Sequence, residues 1–114
     1  MSIIRKARAN ENVEIEVKVP LYLYSEDAEY KDYVNATPIN VVENNSDSIL
    51  SVLGGQQKLT DISGMEVLML AFDGNKVFKD NVIIKGRTAN WIVVEIAGEQ
   101  YSVARTRVIF TKRD

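Results

Sequence analysis

The residues best equipped for chemistry lie in the C-terminal half. Lys85, Arg87, Arg105, Arg107, Lys112 and Arg113 are all cationic, and Trp91, the single tryptophan, falls among them. Arginine presents a planar fork that clamps phosphate or carboxylate, and an aromatic face stacks a base or another ring. Lys85, Arg87, Trp91, Arg105 and Arg107 are therefore the candidate residues for binding a small anionic ligand or nucleic acid. A regular last strand would put Arg105, Arg107, Ile109 and Thr111 on one face and Thr106, Val108 and Phe110 on the other. Trp91 begins a strand whose opposite face, Ile92, Val94 and Ile96, is expected in the core, which leaves the indole partly exposed near the arginines. The competing reading is a solvated strand face that keeps edges from pairing. Charge is divided along the chain. Residues 58–114 carry nine Lys and Arg against seven Asp and Glu, a balance of +2, and residues 1–57 carry five against nine, a balance of −4.

A second constellation is aromatic. Tyr22, Tyr24, Tyr30 and Tyr33 are four of the five tyrosines. Tyrosine joins a large contact area to a polar tip, which suits an interface. Tyr22, Tyr24 and Tyr30 are the candidate interface residues of a homodimer, and internal packing of the rings is the alternative. A third constellation is acidic: Glu14 and Glu16 on one strand face, then Glu26, Asp27, Glu29 and Asp32. Exposed carboxylates two apart on a strand are ordinary solvated groups, so no metal site is expected. Asp73-Gly74-Asn75 with Asp80 resembles a calcium loop, but Val77 stands where such a loop needs Asp or Asn.

Composition removes other chemistries. The chain has no histidine, which takes away the commonest general base and metal ligand. It has no cysteine, so zinc–thiolate sites are excluded and nothing calls for an oxidising compartment. A net charge of −2 argues against wholesale nucleic-acid binding. No apolar run approaches a membrane span, and none follows the charged start Arg5-Lys6-Ala7-Arg8 as a signal peptide would require. The expectation is a cytoplasmic, non-catalytic binding or interaction protein that works without a cofactor, self-associates and has no membrane partner. A protein partner remains open, and nucleic acid stays the alternative.

The positioning elements follow from periodicity. Val13, Ile15, Val17, Val19, Leu21 and Leu23 alternate with Glu14, Glu16, Lys18, Pro20, Tyr22 and Tyr24, the mark of a half-buried strand. Val17 and Leu21 are expected inside, with Glu14, Glu16 and Lys18 outside. Pro20 cannot donate to a ladder, so an edge or a bulge is expected there. Ser25 is a candidate cap for a helix carrying Tyr30, Tyr33 and Val34, which must end before Pro38. Ile39 to Val42 reads as a short strand. Ser46 or Asp47 is a candidate cap for a second helix through Ile49, Leu50, Val52 and Leu53, stopped by Gly54-Gly55.

The rest reads as β. Glu66 to Phe72 is apolar on both faces and reads as a buried strand, with a helix segment the alternative that periodicity does not exclude. Asp73-Gly74-Asn75 is a turn, Asn81 to Lys85 and Asn90 to Ile96 are strands, and Ala97-Gly98-Glu99 leads into Gln100 to Val103. A kink near Ala104-Arg105-Thr106 precedes the last strand, Arg107 to Lys112. The fold class is mainly β, of the α+β kind. Five short strands in this order suit a small SH3-like barrel or a strongly curled antiparallel sheet with one or two short helices, in a single domain over residues 1–114. Arg5-Lys6-Ala7-Arg8 ahead of Leu59-Thr60-Asp61-Ile62-Ser63-Gly64 loosely resembles PilZ domains, β-barrels that bind a cyclic dinucleotide. Those domains space two arginines four apart, where this chain spaces them three apart. They also place glycine three residues after the serine, where Glu66 stands. Both departures fall on the ligand-binding motif, and the chain is not assigned to that family.

Overall fold

The computed structural model describes residues 3–9, 11, 13, 17–36, 39–41, 50–52 and 60–112. Alternation buries Val17, Val19 and Leu21, as expected. Glu14, Glu16 and the Lys18 side chain lie outside the described residues. Pro20 divides the expected long strand into β2 (Lys18–Val19) and β3 (Leu21–Leu23). A residue without an N–H is a natural point for the chain to change partners. Leu23, at the end of the alternation, is exposed.

The main sheet runs in the order β1 (Ile4–Lys6), β10 (Glu99–Ala104), β9 (Trp91–Ile96), β8 (Lys76–Arg87), β7 (Glu66–Asp73), β11 (Val108–Lys112) and β3. Neighbours are antiparallel except β3, which joins β11 in parallel. β1 and β3 are the edges, so the expected barrel does not close and the sheet is an open, curled one. Closure needs a continuous stagger of paired strands, and two edges of three residues each do not supply it. Two small ladders stand apart: β2 with β6 (Thr60–Asp61), and β4 (Ile39–Val41) with β5 (Leu50–Val52).

Strand β7 is buried from Val67 to Phe72, and its two faces feed two cores. Val67, Met69 and Ala71 join Val17, Val19, Leu21, Ile62, Ile84 and Phe110 on one side. Leu68, Leu70 and Phe72 join Tyr33 and Ile109 on the other. The same split along β11, with Phe110 in one core and Ile109 in the other, follows the period-two reading of its sequence.

Two turns shape the hairpins. Gly74 has φ +62°, which the first central position of the two-residue β7–β8 turn favours in glycine. Ala97 and Gly98 take φ 50° and 84° in the β9–β10 turn, both positive as a type I′ turn requires.

Three expectations need correction. The helix α1 (Tyr30–Val34) is capped by Glu29, whose backbone N–H donates to the Asp32 carboxylate at 2.8 Å. Ser25 instead holds the Tyr33 hydroxyl, which it meets with its own N–H at 3.0 Å and its carbonyl at 3.3 Å. Leu50–Val52, placed in a second helix by sequence, is strand β5. A short apolar run does not separate helix from strand, and β4 supplies the ladder. The remainder of that segment and Gly54-Gly55 lie outside the described residues. Arg105 and Arg107 do not belong to a regular strand. They form a 3-10 turn between β10 and β11, so the predicted alternation begins only at Val108.

Candidate functional site

The 3-10 turn puts its arginines beside Trp91 because β10 and β9 are hairpin neighbours, with Ala104 opposite Trp91. An open groove of about 810 Å³ lies there, lined by Ile3, Asp73, Ala89, Asn90, Trp91, Ala104, Arg105, Thr106 and Arg107. Its rim is tightly held. Thr88 donates its N–H to the Trp91 carbonyl at 2.8 Å, and its hydroxyl accepts from the Trp91 N–H at 3.2 Å. The Arg105 backbone N–H reaches the Asn90 carbonyl at 3.2 Å, and its guanidinium donates to the Ala89 carbonyl at 3.1 Å. Arg105 thus pins the loop before Trp91 and is still exposed. Arg107 is exposed and makes no ion pair among the described residues.

The indole is half-buried under the N-terminal segment. The Arg5 guanidinium carbon sits 4.3 Å from its ring centroid, a cation–π contact. Arg5 also donates to Glu11 Oε1 at 2.8 Å, and the other Glu11 oxygen accepts from the hydroxyl of the fully buried Ser102. The Glu11 side chain is 9% exposed. Burial pushes its carboxyl up, but the Ser102 hydroxyl, the Arg5 guanidinium and a backbone contact with Arg8 outweigh this and hold it below 4.5.

Of the five candidate ligand-binding residues, Trp91, Arg105 and Arg107 come together. Lys85 is exposed and Arg87 half-buried on β8, and neither lines the groove. Lys85 falls where the β8–β9 register shifts, which removes it from the regular ladder. Sequence does not single out Glu11 or Ser102, and it picks Arg5 only for its spacing from Arg8, not for a contact with Trp91. Glu11 and Ser102 are 91 residues apart, and no local pattern links them.

The tyrosines gather around α1 and the second core. Tyr22 meets Tyr33 edge-on at 6.2 Å between ring centroids, and Tyr30 packs on Phe72 at 4.7 Å. The Tyr30 hydroxyl donates to the Thr106 carbonyl at 3.3 Å. Tyr24 accepts a hydrogen bond from the Lys79 ammonium. Burial pushes the Tyr22 hydroxyl above 10.0. Among the described residues, no cluster of three acidic groups is placed to hold a metal ion, and no helix is long and apolar enough to cross a membrane.

Comparison with family models, with curated proteins and with solved structures finds no match to this chain.

Proposed function

We propose that this chain is a non-catalytic binding module that takes a small anionic ligand in the groove beside Trp91. The carrying observation is the convergence of a half-buried indole with Arg105 and Arg107 in one open groove. Such a groove clamps phosphate or carboxylate oxygens with guanidinium groups while a ring packs at the indole edge. Asp73 also lines it, and the chain carries a net −2, so a compact ligand such as a nucleotide fits better than a long polyanion. Self-association through Tyr22, Tyr24 and Tyr30 draws less support, because each ring already packs or hydrogen-bonds within the chain.

Trp91 is the single tryptophan and therefore the reporter. Titration with a nucleoside triphosphate, inorganic triphosphate and a short single-stranded oligonucleotide at low salt is expected to change its fluorescence for the triphosphates. The signal should weaken as salt rises. Arg107→Ala should abolish it and leave the circular dichroism unchanged. Arg105→Ala should also abolish it, but it releases the Ala89 carbonyl and so disturbs the loop. A flat fluorescence response to all three ligands would overturn the proposal. A response to the oligonucleotide alone would make the groove a nucleic-acid site instead.

A further inference from the structure

Strand β8 is paired on both sides along only part of its length. β7 meets it from Lys76 to Ile83, and β9 meets it from Ile83 to Arg87. Every residue from Lys76 to Asn81 is exposed, and among the described residues no strand lies on the β9 side of that stretch. Val77 and Phe78 are exposed there at 55% and 38%. A free edge bearing large apolar side chains invites another strand.

The ladder determines which backbone groups are available. In an antiparallel pair, alternate residues turn their N–H and C=O toward and away from the partner strand. Asp73 and Lys76 close the two-residue turn, so Lys76, Phe78 and Asp80 spend their backbone groups on β7. Val77 and Lys79 hold theirs toward the open side.

The order of residues makes this edge complementary to itself. We propose that the chain forms a two-fold homodimer by antiparallel pairing of the β8 edges, with the axis at Phe78. Val77 then faces Lys79 of the second copy, and the two exchange backbone hydrogen bonds on each side of the axis. Lys76 faces Asp80 of the second copy, and Asp80 faces its Lys76. The two Phe78 rings meet at the axis. Opposite charges and aromatic pairs directly across a ladder both stabilise it. The two registers next to it on the Lys79 side fail on the same grounds. An axis at Lys79 sets two like charges against each other, and an axis between Phe78 and Lys79 needs backbone groups that β7 already holds. The interface is isologous, as a two-fold dimer requires. Its paired window is short, so the dimer belongs to the weak, concentration-dependent class.

Sedimentation over about 10 µM to about 1 mM, a range that spans weak complexes, should show the apparent mass rising toward that of two chains. Lys76→Glu alone and Asp80→Lys alone should each weaken association roughly tenfold, because both ion pairs become repulsions. An equimolar mixture of the two variants should associate again, since Lys76→Glu in one chain faces Asp80→Lys in the other. The double variant should self-associate like the parent. Circular dichroism checks that each remains folded. A parent chain that stays monomeric to the top of the range overturns the dimer. Failure of both the mixture and the double variant to recover overturns the register. Neither outcome touches the groove at Trp91, which these residues do not line.

Discussion

The two faces of the main sheet are closed by different chemistry. One face packs Val17, Val19, Leu21, Met69, Ile84 and Val94 against one another, with Phe110 the one buried aromatic ring there among the described residues. Val17 and, in strand β2, Val19 cover it, both almost wholly buried. The other face is closed by tyrosines under α1 at one end and by the Arg5–Glu11–Ser102 group beside Trp91 at the other. An aliphatic face asks only for volume in the right places. A face closed by Tyr33, Tyr30 and Glu11 must also satisfy their polar tips, which it does through Ser25, Thr106 and Ser102. The first face fails by cavity, the second by an unpaired polar group.

The largest effect is expected on the aliphatic face. Met69 is fully buried, and Met69→Ala should cost about 2–5 kcal/mol in urea unfolding through lost contacts and a residual cavity. That deficit should not depend on pH.

Glu11→Gln probes the other face, with an expected cost of about 1–3 kcal/mol near neutral pH. The folded-state Glu11 carboxyl lies below its ordinary 4.5, so it binds protons less readily folded than unfolded. Its stabilisation is therefore present above 4.5 and lost as pH falls through the folded-state value. The gap between the parent and Glu11→Gln should close on acidification while the Met69→Ala gap stays open. A Glu11→Gln gap that stays constant to about pH 3 would show that the ion pair contributes nothing by linkage.

The smallest effect is expected at Tyr33. Tyr33→Phe keeps the ring in the second core and removes only the hydroxyl held by Ser25, at a cost of about 1 kcal/mol. A cost equal to that of Met69→Ala would mean that the Ser25 contact organises the whole approach to α1.

Much of the fold is legible in residue order. The alternation at Val17, Val19 and Leu21, the doubly apolar run of β7 and the turns at Gly74 and Gly98 all stand where local pattern puts them. The first part of β8 does not. Lys76 to Asp80 extends the strand beyond its predicted start at Asn81, because exposed residues on a free edge carry no burial pattern to read. Leu50–Val52 is short enough that only its ladder with β4 decides its state. The meeting of Trp91 with Arg105 and Arg107 is partly legible, since hairpin neighbours must approach. The 3-10 turn that aims the arginines is not, because the strand pattern simply continues through it.

Residue order alone determined the C-terminal strands apart from the start of β8 and the 3-10 turn, the helix around Tyr30 to Val34 and the absence of histidine and thiol chemistry, since each depends on composition or on neighbours a few residues apart. Tertiary structure alone decided that the sheet stays open, that Pro20 sends the chain from one ladder to another, and that Arg5 lies on Trp91 with Glu11 bound to Ser102. Those outcomes depend on strand order and on contacts between distant segments. The energies of such contacts are set by which surfaces are brought together, and local periodicity carries no record of that.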